Sequence, residues 1–401
     1  MRKEITVLIL ALILVGILGA TSVILNNIHR PAIFNMPLGD SFSVFSFLRK
    51  EEKPKNIVYG YLPYWSLDKI ENFQLDKLTD IAYFGLSITA DGGFDKSEPG
   101  YKSWQSSENL TKLISASKKH HVRFALTVIS HDDAISDAFL NCPKCWDTFI
   151  TNLQSELNNK KIKDVNLNFE YSDLTSQDKA DKYTQFVQLV NQKMHQWNPE
   201  SFVVVATFAD STVKPRVTNI SDLAKVTDAL FIMAYDFHQP SSDKAGPVAP
   251  MHGAGVSADY DITKMLQDYL AVAPASKLIL GVPYYGYNWV VSTNSLYPTR
   301  IPGNDYIGYS QSQTYSDIME TIIENKPNIK WDSLSQVPYF TYISPSTGSL
   351  RSVYYENANS LKVKYDLAKD KGLAGIGIWA LGYDGGYAEL WDLIRDEFIA
   401  K

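Results

Sequence analysis

The chain has 401 residues, enough for about two to four ordinary domains or one large α/β barrel with additions. With 45% hydrophobic residues, 20% charged, 18 Pro and 22 Gly, it is neither disordered nor collagen-like and can bury a large core. The net charge of −6 removes the cationic field that nucleic-acid binding needs, and two cysteines exclude a disulfide framework; 24 Tyr and 8 Trp supply flat faces that suit sugar rings.

Arg2 and Lys3 precede an uncharged stretch from Ile5 to Leu25, long enough to cross a bilayer as a helix of roughly 20 residues. Basic residues at its start place the N-terminus in the cytoplasm and everything after it on the far side. Residues 1–28 are therefore expected to form an N-terminal transmembrane anchor, with a cleaved signal segment as the alternative because small residues follow at Gly19-Ala20-Thr21-Ser22. Either way the rest of the chain is exported. Residues 29–55, with Pro31, Pro37, Pro54 and a charged run from Arg49 to Lys53, read as a linker. Cys142-Pro143-Lys144-Cys145 has neither a second pair for zinc nor a thioredoxin-like context, so it is a small loop disulfide or two idle thiols.

From residue 57 onward, short β-branched or aromatic runs alternate with helical stretches. Eight strands are expected to begin near Ile57, Asp80, Arg123, Asp164, Phe202, Asp228, Leu278 and Gly375. Between the fourth and fifth, Tyr183, Phe186, Val187, Val190, Met194 and Trp197 build one apolar helical stripe, which Thr175 with Asp178 could cap. Eight such units over 56–398 predict an α/β (β/α)8 TIM barrel. The long gap between the seventh and eighth strands predicts a small α+β insertion at 289–351, containing an extended piece at 337–342 and a helix near Ser316–Glu324. Because it leaves a strand's C-terminal end, it would wall one side of the mouth.

In Asp164-Val165-Asn166-Leu167-Asn168-Phe169-Glu170 apolar and polar residues alternate with a period of two. Setting Val165, Leu167 and Phe169 against helices sends Asn166, Asn168 and Glu170 inward, where unpaired polar groups are costly. Glu170 then sits at the strand end where barrel enzymes keep catalytic groups. As a plain strand-end carboxylate it would mean nothing. Other strand ends add Met233-Ala234-Tyr235-Asp236, Tyr285 and Trp379, so acids, phenols and an indole gather around one mouth.

These residues resemble glycoside hydrolase family 18, the chitinase-like barrels, from about Ile57 to Ile394. Asn166-x-Asn168-x-Glu170 occupies the last three polar positions of the family's strand-four signature. Met233-x-Tyr235-Asp236, Gly281-x-Pro283-x-Tyr285-Gly286 and the segment Gly375–Gly382 resemble its sixth, seventh and eighth strands. The wording is especially similar to the bacterial branch with spore-cortex and cell-wall hydrolases.

The resemblance implies substrate-assisted retaining hydrolysis of β-1,4-linked N-acetylglucosamine glycans (chitin, chitooligosaccharide or peptidoglycan), without an enzyme nucleophile. Glu170 would be the general acid and then base, Asn168 would take the place of the residue that orients the acetamido group, Tyr235 would hold the acetamido carbonyl, and Asp236 would contact the sugar and tune Glu170. Trp379 would floor the site, and Tyr61, Asn166, Met233 and Tyr285 would line it. Neither a metal nor another cofactor is implied, and the protein is expected to work as a monomer held at the membrane by its N-terminus.

The chain departs from the family at one catalytic position, where Asn168 replaces the usual Asp. The amide carries no charge to balance the cationic intermediate. It also removes a like-charge contact that would raise the Glu170 pKa and adds a donor that favours the ionised form. Lys163 stands where the first family acid belongs, and Asp164 replaces the following Gly. Two readings follow: a slow or specialised hydrolase that keeps Glu170, and a non-hydrolytic glycan-binding module.

Overall fold

A computed structural model describes residues 54–399. Its first strands are β1 (Ile57–Pro63), β2 (Asp80–Ser87), β3 (Arg123–Ser130), β4 (Asp164–Phe169), β5 (Val203–Phe208), β6 (Ala229–Met233) and β7 (Leu278–Pro283). Five strands follow: β8 (Tyr285–Val290), β9 (Gln311–Thr314), β10 (Lys330–Asp332), β11 (Val337–Ile343) and β12 (Leu350–Tyr354). The last strand, β13 (Gly375–Trp379), pairs with β1 and β7 and closes a parallel barrel in the order β1-β13-β7-β6-β5-β4-β3-β2. The helices are α1 (Pro99–Ser106), α2 (Glu108–Lys119), α3 (Asp133–Leu140), α4 (Pro143–Lys160), α5 (Gln177–Trp197), α6 (Ile220–Val226), α7 (Ile262–Leu270), α8 (Tyr315–Asn325), α9 (Ala358–Asp370) and α10 (Ala388–Phe398).

Strand alternation sorts the core into two layers. Val165, Leu167 and Phe169 of β4 face the helices, where the Phe169 ring lies 5.1 Å from Tyr183 and 5.7 Å from Phe186 of α5. Inside the ring, Tyr59, Tyr61, Ala125, Val204, Phe231 and Ile279 form a separate cluster. Phe231 occupies the middle because β13 and β7 offer glycine there: a Cβ at Gly377 would stand 2.0 Å from the Phe231 ring. A Cβ at Gly281 would likewise stand 2.7 Å from the ring, so neither position can take a side chain while Phe231 stays in place.

The stripe on α5 is buried from Tyr183 to Met194, but its cap falls one residue later than the Thr175 expected. The Thr175 N–H is drawn to the Pro215 carbonyl at 2.9 Å, which leaves the Ser176 hydroxyl to accept the Lys179 N–H. Cys142 and Cys145 are joined as a disulfide at the start of α4, with Cys142 as its N-cap.

The insertion is a five-stranded antiparallel sheet, β10-β11-β12-β8-β9, with α8 beside it. It extends beyond 289–351 at both ends, because β8 begins at Tyr285, with only Tyr284 between it and the end of β7, and its partner β12 runs to Tyr354. The N-terminal anchor at 1–28 lies outside the described residues, as does the linker at 29–55 apart from its last two. Among the described residues no helix is long and apolar enough to cross a membrane.

Candidate active site

The C-terminal ends of β1, β4, β6, β7 and β13 surround a cleft of about 700 Å³ lined by Tyr61, Asn168, Glu170, Tyr235, Asp236 and Trp379, with Met233 and Tyr285 at its wall. Such a volume is typical of a small-ligand site. The register of β3 against β4 builds its centre. Ser130 pairs with Phe169, and the Glu170 N–H donates to the Ser130 carbonyl at 2.9 Å, so the residues that follow, His131 and Glu170, stand side by side.

Two donors converge on one oxygen of Glu170. The Asn168 Nδ2 donates to Oε1 at 2.7 Å, and the His131 Nε2 lies 3.4 Å from the same atom. Burial alone would raise the Glu170 carboxyl. The hydrogen bond and charge of His131, with the Asn168 donor, outweigh it and hold the group below its ordinary value. Most of the lowering comes from His131, and the amide at 168 adds the smaller part. Asn168 is 3% exposed, and its Oδ1 finds no hydrogen-bond partner among the described residues.

Asp236 is held differently. Its Oδ1 accepts the phenols of Tyr285 and of Tyr287, the latter at 2.6 Å, and its backbone has φ 61°. A non-glycine residue in this region is rare and is maintained only when its surroundings hold it there. Burial keeps its carboxyl above the usual range, against the two phenols and helped by the charge of Glu170. Burial likewise pushes the Tyr235 phenol well up, so it stays a neutral donor.

Trp379 closes the cleft floor beside Tyr61 at 5.5 Å and Phe84 at 4.8 Å between ring centroids. Trp65, 47% exposed, adds a second indole at the rim and donates to the Tyr383 phenol. The expectation for Asn166 is corrected. It is fully buried beneath the cleft, where it accepts the Tyr61 phenol at 3.1 Å and donates to the Val204 carbonyl at 3.4 Å, so it positions Tyr61 instead of lining the cleft.

His131, Tyr287 and Trp65 were not singled out from the sequence. His131 follows the last residue of a strand, the position that drew attention to Glu170, and that signal could have found it. Trp65 lies in the same Tyr64-Trp65 aromatic pair that ends the first strand's run. Tyr287 lies on an insertion strand whose direction no local pattern reveals. Among the described residues, no group of three or more His, Cys, Asp or Glu side chains is arranged to hold a metal ion.

Known proteins resemble the chain as follows. "Probable di-N-acetylchitobiase 1" of Dictyostelium discoideum is 29% identical over 252 residues, covering 57% of this chain and 62% of that one. The cortical fragment-lytic enzyme of Bacillus subtilis (strain 168) is 25% identical over 243 residues, covering 59% of this chain and 50% of that one. The matches thus span between half and under two thirds of these relatives' lengths. The Group IV chitinase of Ostrinia furnacalis, solved with allosamidin, superposes with a TM-score of 0.73 at 19% identity, over 85% of this chain and 98% of that one, which shows a shared fold. With residues 57–384 matching the family model "Glycosyl hydrolases family 18", and Glu170, Tyr235 and Asp236 gathered at the mouth of its barrel, the chain belongs to glycosyl hydrolase family 18.

Proposed function

We propose that the chain hydrolyses β-1,4-linked N-acetylglucosamine glycans, of the chitin, chitooligosaccharide or peptidoglycan type, by a substrate-assisted retaining mechanism. The observation that carries this reading is the placement of Glu170. It stands at the end of β4 in the cleft, both of its described donors bind Oε1, and Oε2 is left for a glycosidic oxygen. The names of the two relatives, a chitobiase and a cortical fragment-lytic enzyme, support a glycan of this kind.

In the first step the acetamido oxygen bonds to its own anomeric carbon while the bond to the glycosidic oxygen breaks. The Glu170 proton passes to that oxygen, and the aglycone leaves as an alcohol. The positive charge now lies on the oxazolinium ring. The orphaned Asn168 Oδ1 accepts the acetamido N–H, Tyr235 donates to the acetamido oxygen, and Asp236 supplies negative charge beside the sugar. Glu170, now a carboxylate, takes a proton from water as the water oxygen attacks the anomeric carbon from the face the aglycone left; the bond from the acetamido oxygen to that carbon breaks, its electron pair returns to restore the neutral acetamido group, and the β configuration is retained.

One observation favours the second reading, a glycan-binding module without turnover: Glu170 is held towards its ionised form, which disfavours it as a proton donor. Incubating the full-length protein with N-acetylglucosamine oligomers and with peptidoglycan, beside Glu170→Gln and with binding measured in parallel, separates the two. Turnover that falls at least about a hundredfold in the variant supports the hydrolase. Equal binding by both proteins with no turnover by either replaces it with the binding module.

The site of action is part of the same proposal. The apolar stretch from Ile5 to Leu25 would export the barrel, and the Cys142–Cys145 disulfide suits an oxidising compartment. Membrane fractionation of producing cells, with protease added outside, tests this reading.

A further inference from the structure

The histidine beside Glu170 has no part in the mechanism above, yet among the described residues it is one of two side chains that bind the carboxyl. It enters the cleft from the end of β3, 47% exposed on its side chain, with its ring 6.1 Å from that of Phe84 and its Nε2 3.4 Å from Glu170 Oε1. The β3–β4 register fixes this approach through backbone atoms, so it does not depend on a flexible loop. Asn168 donates to the same Oε1 at 2.7 Å. In place of a second acid, therefore, the catalytic carboxyl faces an amide and an imidazole.

We propose that His131 is the positioning and proton-sharing partner of Glu170: carboxyl and imidazole hold one proton between them across a window of pH, and the division of that proton governs when Glu170 can act as an acid. This inference rests on the reading of Glu170 as the acid and base of the hydrolase. The other titratable groups lining the cleft with the pair are Asp236 and Tyr235 from the end of β6, Tyr61 from β1, Tyr285 from β8, Asp259 and Tyr260 from between β6 and α7, and Asp210 with its partners Lys214 and Arg216 from beyond β5. Asp132 and Asp133 follow His131 in the chain, where Asp132 caps α3 and Asp133 binds Ser172. Asp210 is paired with two cations, and Asp236 is held by two phenols. Among the described residues, His131 is thus the titratable side chain in direct contact with the carboxyl.

Coupled groups lose their protons in two macroscopic steps. Between those steps the pair holds one proton, and the fraction of it that sits on Glu170 does not change with pH. Remove the imidazole, and protonated Glu170 declines about tenfold for each pH unit above its own midpoint. His131 therefore lowers the amount of acid at low pH and keeps it steady towards neutrality.

Two measurements on the full-length protein test this. The side-chain carboxyl carbon of Glu170, assigned by its loss in Glu170→Gln, is followed by NMR as a function of pH in wild type, His131→Gln and His131→Lys. In wild type it should respond to two steps. In His131→Gln it should show one, with a midpoint higher by about one pH unit. His131→Lys retains a cation and should keep the low midpoint. In parallel, log kcat/KM on a chitooligosaccharide should be nearly flat for wild type between its two midpoints and should fall with a slope near −1 for His131→Gln over the same range. Identical single-step titrations with parallel rate profiles would overturn the proposal. Absence of turnover in wild type would defeat the hydrolase reading alone, since the NMR titration still decides whether the two side chains share a proton.

Discussion

An amide at position 168 does two things that an acid there would not. It donates to Glu170 Oε1, and it leaves a buried, neutral Oδ1 to meet the substrate. With His131, which contributes more, the donor holds the carboxyl towards its ionised form, and in the proposed mechanism the neutral oxygen would balance less of the positive charge that develops on the sugar. Asn168→Asp should therefore raise kcat on chitooligosaccharides by roughly ten- to a hundredfold and shift the alkaline side of the rate profile to higher pH. Steady-state kinetics, with circular dichroism to confirm the fold, check this; an unchanged kcat in a folded variant would refute it. At this scale the sequence was informative where alternation spoke. The run from Val165 to Glu170 shows which residues turn inward, and Asn168 and Glu170 do meet in the cleft. It was silent on depth, so Asn166 was expected at the cleft although it sits a layer below. His131 was passed over because its meeting with Glu170 comes from the pairing of two distant strands.

Strand β4 also carries an unusual residue at its other end. Asp164 is 4% exposed, and its Oδ1 accepts the Phe202 N–H at 2.9 Å. Burial pushes its carboxyl up to about 7, helped by the charge of Asp80 and opposed by that N–H and by Arg123. An unfolded Asp titrates near 3.9, so the folded chain binds more protons across the interval between the two values. The sign follows: this contribution to stability is fully present below about pH 4 and is lost as pH rises through about 7, a change of roughly 4 kcal/mol. Asn at 164 can still accept the Phe202 N–H without that dependence. Asp164→Asn should melt on the order of 5–10 °C above wild type at pH 8 and close to it at pH 4, as measured by calorimetry. A constant difference at both pH values would refute it. Elements were the most legible level, because strand starts coincide with changes of hydrophobic period. Six of the eight begin at the expected residue, and β5 and β6 begin one later, at Val203 and Ala229. The cap of α5 was displaced by a tertiary contact, the bond from Thr175 to Pro215, which no local pattern encodes.

At the scale of the whole fold, residues 54–399 join a parallel barrel to an antiparallel sheet, and the candidate active-site cleft depends on both. Asp236 comes from the barrel, whereas Tyr285 and Tyr287, which grip its Oδ1, come from β8 of the insertion. Removing one phenol withdraws a donor that favours the carboxylate, so Asp236 moves further up and carries less negative charge at neutral pH. Tyr287→Phe should lower kcat about tenfold with little change in KM, which kinetics on N-acetylglucosamine oligomers would check; an unaltered kcat would argue against a role for this contact. The insertion was legible as a gap between strands, but its reach into the site was not, since nothing local shows that β8 turns straight back over the barrel mouth.

The pairing of β8 with β12, in which Tyr287 faces Tyr354, places the two ends of the insertion next to each other. A segment that departs and returns at neighbouring points can be exchanged without reopening the ring, so the barrel can serve as a chassis and the sheet as a replaceable cassette. The cut, however, cannot fall at the obvious seam after Pro283. Tyr285 and Tyr287 lie on the cassette side of that seam, and any transplanted sheet that omits them would leave a folded barrel whose Asp236 has lost both of its phenols.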